Sequence, residues 1–249
     1  MRFILGLLLS CILIQSHAEE INVAAASNLR YVLPVLADEF EQNTGHHLAL
    51  SFAASGTLTT QLLHDAPFEV FLSANPDYME RLIKADRTEG RLIEFGYAQL
   101  AMYAAKHSTL QLDPDLAFLT KSINSGHLNK VVIANPKHAP YGQAAKAVLK
   151  RAGLWKKIQP HLLIAENASQ AVQFTMSSRV DVGFVPYAHV IQPKLMAKGK
   201  FVKLDARLPQ QAVLIKGAGE PAQQFVNFLQ TNAAHHILKE HGFIVETKE

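Results

Sequence analysis

Short apolar runs alternate with amphipathic segments along most of the chain. Seven runs have the length and composition of buried strands, namely residues 21–26, 48–52, 69–74, 97–105, 131–134, 162–165 and 180–185. Several of the segments between them repeat apolar residues every three or four positions, which is typical of a helix with one buried face. Strands that alternate with helices predict an α/β fold with mostly parallel sheets and right-handed crossovers.

The first predicted helix contains a proline close to its start. Its apolar positions are Leu29, Val32, Leu33, Leu36 and Phe40, and Gly45 is well placed to end it. Pro34 has no N–H and is unfavourable inside a helix. We therefore expect a kink at Pro34, or a helix that begins one turn later.

The order of the elements predicts two lobes with a ligand between them. Residues 19–97 together with 206–249 would form the first lobe, and residues 98–205 the second. The run at 97–105 is placed to connect them, and the helical tail at 221–228 would return to the first lobe. We expect short strands to join the lobes, because no low-complexity linker separates them.

Four predicted strands end in a turn that leads directly into a helix. The turns are Ser27-Asn28, Ser55-Gly56-Thr57, Tyr141-Gly142 and Ala168-Ser169, and none contains a basic residue, although Arg30 lies close to the first. The unpaired N–H groups at a helix N-terminus bind anions. Each N-terminus carries roughly half a positive charge, so four that converge would roughly offset a dianion. Because Ser and Asn also cap helices for stability alone, only convergence would make the four turns a site for a small oxyanion.

The first eighteen residues have the pattern of a secretory signal peptide. Met1-Arg2 gives a positive start, an apolar run follows to Ile14, and Ser16-His17-Ala18 has small residues where a signal peptidase cleaves. We expect cleavage after Ala18, and the run is too short to remain as a transmembrane helix. The competing interpretation is a lipoprotein signal around Cys11, although the apolar run continues past it. Cleavage would remove this single cysteine and leave no thiol chemistry.

Composition and charge argue against several kinds of partner. The chain has 249 residues, 49% hydrophobic and 18% charged, as in an ordinary globular protein. Cleavage after Ala18 would remove one of the 24 basic residues and none of the 21 acidic ones, which leaves a formal charge of +2. This small charge, without a basic run, argues against nucleic acid or a membrane surface as partner. We expect an exported monomer without membrane insertion.

Two other patterns suggest different chemistry, and both are incomplete. His46-His47, His235-His236 and His241 lack the spacing and the neighbouring carboxylates or cysteines of a metal site. Ser55 lies in Ala-Ser-Gly, but the Gly-x-Ser-x-Gly motif of a nucleophilic serine is missing. An exported hydrolase is therefore the competing class of protein, and we expect neither catalysis nor a cofactor.

Four segments resemble the periplasmic molybdate-binding proteins of ABC importers. They are residues 24–27 (AAAS), 51–58 (SFAASGTL), 66–74 (APFEVFLSA) and 135–142 (NPKHAPYG), in the order and spacing of that family. The resemblance implies a two-lobed periplasmic binding protein of type II topology, which closes over its ligand by a hinge. It also implies molybdate or tungstate as the ligand, the periplasm as the location and a membrane ABC permease as the partner.

The resemblance further implies which residues contact the oxyanion. Ser27, Asn28 and Ser55 would contribute from the first lobe, and Tyr141 and Ala168 from the second, largely through backbone N–H groups. The metal of the bound molybdate would lie beside Ser27 and Ser55 as part of the oxyanion, without direct coordination by the protein.

Position 186 separates two branches of this family. One branch has a ligand tyrosine where this chain has Pro186, which offers neither an N–H nor a hydroxyl. A second branch lacks that tyrosine and has Asn at position 28 and Tyr at position 141, as here. We therefore expect Asn28 to replace the missing contact.

The chemistry of the ligands predicts the selectivity of such a site. Molybdate and tungstate carry no proton at neutral pH, so a site built only from donors suits them and leaves the proton of hydrogen phosphate without an acceptor. Sulfate also carries no proton, and only a rigid cavity of the right size would disfavour it. Sulfate, chromate or a small organic acid are thus the alternative ligands, and we expect little discrimination between molybdate and tungstate.

Overall fold

The computed structural model describes residues 18–246. The predicted signal peptide, apart from Ala18, and the candidate lipidation site at Cys11 lie outside the described residues. No helix within residues 18–246 is both long and apolar enough to cross a membrane.

Eight strands and eleven α-helices form within residues 18–246. The strands are β1 (Glu20–Ala26), β2 (His47–Ala53), β3 (Val70–Ser73), β4 (Thr88–Ala105), β5 (Val131–Ala134), β6 (Leu162–Ala165), β7 (Val182–Pro186) and β8 (Gly199–Ile215). The helices are α1 (Leu33–Thr44), α2 (Ser55–Leu63), α3 (Pro76–Lys84), α4 (Ala117–Asn124), α5 (Pro140–Arg151), α6 (Trp155–Ile158), α7 (Ala168–Thr175), α8 (Tyr187–Val190), α9 (Pro193–Met196), α10 (Glu220–Phe228) and α11 (Asn232–Glu240). Short 3-10 turns occur at Ser27–Leu29 and Gln159–His161.

The strands form one sheet in the order β2-β1-β3-β8-β4-β7-β5-β6. β1 pairs in parallel with β2 and β3, and β5 pairs in parallel with β6 and β7. The two long central strands, β4 and β8, run antiparallel to each other over almost their whole length. β3 pairs with residues 211–214 of β8, whereas β7 pairs with residues 100–103 of β4. The two parallel groups therefore lie at opposite ends of the β4–β8 ladder.

This arrangement confirms the predicted two-lobed α/β fold. The first lobe contains β1–β3 with α1–α3, and the second contains β5–β7 with α5, α7 and α8. The strands that join the lobes were expected to be short, but they are 18 and 17 residues long. The predicted lobe boundaries, 97/98 and 205/206, fall inside these two strands and remain a prediction.

One of the joining strands, β8, has no counterpart in the sequence prediction. Its charged residues Lys203, Asp205 and Arg207, followed by Pro209, are typical of a solvated loop rather than of a central strand. The long-range pairing with β4 overrides these local preferences, and the ladder shifts register near Gly96, next to the Tyr97–Pro209 pair. The last helix, α11, was also not predicted from the sequence.

The first helix begins one turn later than its apolar pattern indicates. Residues Ser27–Leu29 form a 3-10 turn, and α1 begins at Leu33 with Pro34 in its first turn, where a missing N–H costs little. Gly45 ends α1 in the left-handed conformation, as expected. Of the two predicted outcomes for Pro34, the later start is therefore the one observed.

The helical tail packs on the first lobe, as predicted. The ring of Phe40 on α1 lies 5.3 Å from that of Phe225 and 5.7 Å from that of Phe228, both on α10. Phe40 and Phe225 are almost fully buried. This aromatic cluster attaches the end of the chain to the helix that follows the first turn.

Candidate oxyanion site

The four predicted turns meet at one small cavity between the lobes. Its lining residues are Ala26, Ser27, Asn28, Ala53, Ala54, Ser55, Ala139, Pro140, Tyr141 and Ala168. All five residues predicted to contact the ligand are in this set, and each is at most 3% exposed. The cavity volume is about 10 Å³, room for roughly one water-sized sphere, and far below the several hundred Å³ typical of pockets for organic ligands. The cavity therefore suits a small ion better than an organic molecule.

Parallel pairing explains why the turns meet. Ala26 pairs with Ala53 at the carboxyl ends of β1 and β2, so Ser27 and Ser55 begin their turns at the same edge of the sheet. In the second lobe, Ala134 pairs with Ala165, which brings the N-termini of α5 and α7 together. Ligands of open α/β sheets bind at this edge.

The cavity is electropositive without a basic side chain. Of the ten described residues that line it, none is charged. The helices α2, α5 and α7 point their N-termini at it, and each contributes roughly half a positive charge. The fourth turn is a 3-10 turn that does not continue into α1, so three helix dipoles converge rather than the expected four.

The two serine hydroxyls do not cap helices. The residues at the N-cap positions are Ala26 and Ala54, and neither makes a side-chain hydrogen bond. Ser27 Oγ instead accepts from the N–H of Ala168 at 3.2 Å, and Ser55 Oγ accepts from the N–H of Ala74 at 3.4 Å. A hydroxyl that accepts from a backbone N–H keeps its own proton, so both serines remain able to donate.

Asn28 is held by a partner from β8, one of the two strands that join the lobes. Its Nδ2 donates to Gln210 Oε1 at 2.8 Å, and Gln210 Nε2 donates to the carbonyl of Leu208 at 2.9 Å. A carbonyl only accepts, so this chain of bonds determines the orientation of both amides. Gln210 is fully buried and was not identified from the sequence.

Two polar atoms of lining residues find no hydrogen-bond partner within residues 18–246. They are Asn28 Oδ1 and the hydroxyl of Tyr141. Burial raises the pKa of Tyr141, so this hydroxyl stays protonated and can donate. Asn28 Oδ1 is an acceptor, whereas the sequence predicted a site built only from donors. Buried polar groups without partners are rare in proteins and indicate a place where a ligand or water completes the bonding.

His189 supports the first turn from the second lobe. It is buried on α8, three residues after Pro186, and its Nε2 donates to the carbonyl of Asn28 at 3.0 Å. Burial, together with the smaller effect of the nearby Arg30, lowers the pKa of His189 to about 4, so the ring is neutral at pH 7. Pro186 itself does not line the cavity. No sequence pattern singles out His189, because its partner lies 161 positions away.

Arg30 and Ser169 lie beside the cavity without lining it. Ser169 Oγ donates to the carbonyl of Ser27 at 2.8 Å, and Arg30 Nε donates to Ser169 Oγ at 3.3 Å. The guanidinium of Arg30 also lies 5.0 Å from the centre of the Phe52 ring. These contacts hold the first turn against α7.

Two observations concern the residues that suggested a metal site or a hydrolase. No group of three or more His, Cys, Asp or Glu side chains suited to a metal ion occurs between residues 18 and 246. Ser55 Oγ accepts a hydrogen bond from the backbone N–H of Ala74, whereas a nucleophilic serine donates to a base such as histidine.

The chain belongs to the bacterial extracellular solute-binding proteins, whose family model matches residues 21–244. Within that class it is similar to the molybdate-binding proteins ModA. It is 32% identical to ModA of Rhodobacter capsulatus, over 92% of this chain and 90% of the relative. It is 33% identical to ModA of Azotobacter vinelandii, over 95% and 93%.

Solved structures agree with this assignment. The periplasmic molybdate-binding protein of Azotobacter vinelandii superposes with a TM-score of 0.81 and 28% identity, covering 91% of this chain and all of that one. This likeness confirms the predicted type II binding-protein fold. The sulfate-binding protein SubI of Mycobacterium tuberculosis H37Rv superposes with a TM-score of 0.76 at 16% identity, over 91% of this chain and 86% of that one, and this shows the shared fold alone.

Proposed function

We propose that this protein captures molybdate or tungstate in the periplasm and delivers it to a membrane ABC permease. The observation that carries the proposal is the convergence of four turns, two from each lobe, on one small cavity that no charged side chain lines. The similarity to molybdate-binding proteins over nine-tenths of the chain supports molybdate as the ion.

The bound ion would accept hydrogen bonds from both lobes. Ser27 and Ser55 would donate their free hydroxyl protons, and Tyr141 its unpartnered one. The N–H of Ala168, which now donates to Ser27 Oγ, would be shared with the ion. Because the donors come from both lobes, the ion stabilises the closed form, which the permease would recognise.

Asn28 would supply the contact that Pro186 cannot make. Gln210 occupies one of the two amide hydrogens of Asn28, so the second hydrogen and the backbone N–H are the groups available to the ion. The amide dipole is already oriented by Gln210, and less freedom is lost when the ion binds.

A thermal-shift panel on residues 19–249 tests the proposal. At one hundred times its Kd, a ligand stabilises a protein by about 2.7 kcal/mol, which raises the Tm of a chain this long by roughly 5–10 °C. We expect molybdate and tungstate at micromolar concentrations to give such shifts, and phosphate to give none. No shift with either ion, or a larger shift with sulfate, would contradict the proposal.

A further inference from the structure

We infer that a polar clasp beside the cavity holds the two lobes closed and sets how long the ion stays bound, without contacting the ion. The clasp consists of Gln143 on α5 of the second lobe, inserted between Asn75 and Tyr78 of the first. The inference rests on the proposed function for its ligand. Neither Gln143 nor its two partners line the cavity.

The hydrogen bonds of the clasp use both ends of the Gln143 amide. Asn75 Nδ2 donates to Gln143 Oε1 at 2.7 Å, and Gln143 Nε2 donates to the hydroxyl of Tyr78 at 3.1 Å. Asn75 Oδ1 accepts from the N–H of Asp77 at 2.8 Å, which caps α3. Because an N–H only donates, this cap determines the orientation of Asn75 and, through it, that of Gln143. The N-cap of α3 thus orients Asn75, the first-lobe partner of Gln143, for its bond to Gln143.

The backbones of the two lobes also meet next to the clasp. The N–H of Gly56 donates to the carbonyl of His138, which lies in the second lobe, at 2.9 Å. A Cβ on Gly56 would lie 2.8 Å from that carbonyl oxygen and 2.8 Å from the Tyr78 hydroxyl. Only glycine fits this contact. Since Ser55 precedes Gly56 and lines the cavity, the movement that engages the clasp also encloses the ion.

The clasp and the cavity should therefore have separable effects on binding. The ion enters the open form, in which the clasp bonds between lobes are absent, so their loss should raise koff and leave kon nearly unchanged. Since the clasp does not touch the ion, the affinities for molybdate and tungstate should fall by the same factor. A substitution of a residue that lines the cavity alters contacts with the ion itself, so it changes the two affinities by different factors.

Gln143→Met removes both clasp bonds and keeps the length of the side chain. We expect its Kd for molybdate and for tungstate to rise by about tenfold each, through a faster koff in stopped-flow displacement. Tyr78→Phe removes one of the two bonds and should show about a threefold rise. The matched control is Gln173→Met, an exposed glutamine of the second lobe, which should stay within about twofold of the wild-type Kd.

A distance measurement tests the clasp independently of ion binding. Residues 19–249 contain no cysteine, so spin labels at Lys84→Cys and Lys137→Cys report the separation of the lobes. We expect Gln143→Met to shift the distance distribution towards longer values, with and without molybdate. If the wild-type protein binds molybdate, an unchanged koff in Gln143→Met would overturn the clasp. An unchanged distance distribution in Gln143→Met would also overturn it. A wild-type protein that binds neither ion would overturn the proposed function instead, and the distances would still decide about the clasp.

Discussion

The backbone N–H of Ala168 donates to the hydroxyl oxygen of Ser27 at 3.2 Å, across 141 positions of the chain and from one lobe to the other. Two residues predicted to share a ligand thus also contact each other. The bond links the N-terminus of α7 to the first turn and leaves the Ser27 proton available. The contact that joins the lobes at this point therefore also orients the Ser27 hydroxyl that is predicted to bind the ion.

Removal of the Ser55 hydroxyl should weaken binding. Ser55→Ala deletes one donor from a fully buried position, and we expect a loss of about 1–3 kcal/mol in molybdate affinity by isothermal titration calorimetry. Ser178→Ala removes a hydroxyl from an exposed position and is the control. Unchanged affinity in Ser55→Ala would show that this hydroxyl does not face the ion.

Gln210 should act on the ion only through Asn28. Gln210→Met removes the acceptor that orients the Asn28 amide, and we expect molybdate affinity to fall by about 1 kcal/mol. In a double-mutant cycle with Asn28→Ala, the second substitution should add almost nothing, because the group that it positions is already gone. Fully additive losses would show that the two residues act independently.

Gly56→Ala should abolish binding with little effect on stability. Alanine is favoured over glycine in a helix by roughly 0.5–1 kcal/mol, and the close contact of the added Cβ with the Tyr78 hydroxyl of the same lobe offsets this gain, so the ligand-free protein should unfold at about the wild-type urea concentration. The added Cβ prevents the approach to His138, so molybdate binding should become undetectable by calorimetry. Gln61→Ala, at an exposed position of the same helix, should bind normally. Normal affinity in Gly56→Ala would contradict the closed geometry.

His189 should make the folded state less stable in acid. Its pKa is about 4 in the folded protein and 6.5 in the unfolded chain, so the unfolded state binds more protons between these values. Titration of His189 therefore leaves the free energy of unfolding unchanged above pH 6.5. It lowers this free energy as the pH drops towards 4, by up to about 3 kcal/mol.

Urea unfolding between pH 7 and pH 4 measures this effect. His189→Asn cannot titrate, so its stability should decline less steeply over that interval than that of the wild type. His127→Asn, at an exposed position, should follow the wild-type profile. Equal slopes for wild type and His189→Asn would show that His189 is not the responsible group.

Local patterns in the sequence are sufficient for the elements that surround the site. The strands at 131–134 and 162–165 have the predicted bounds, since both are continuous apolar runs that end at turn residues. The first is fully buried, whereas Leu163 and Ile164 of the second, which is the edge strand β6, are exposed. The four turns were located in the same way, from small apolar residues followed by Ser, Asn or Gly. All of this information lies within about ten neighbouring residues.

The arrangement of those elements depends on contacts between distant residues. β8 is a strand because β4 supplies its hydrogen bonds, against the local preference of its charges and of Pro209. Asn28 is oriented by Gln210, which lies 182 positions away, and the first turn is held by His189 from the other lobe. A pattern of side chains along the chain predicts where a helix begins, but only tertiary packing decides which helix ends meet and which of their donors remain free for an ion.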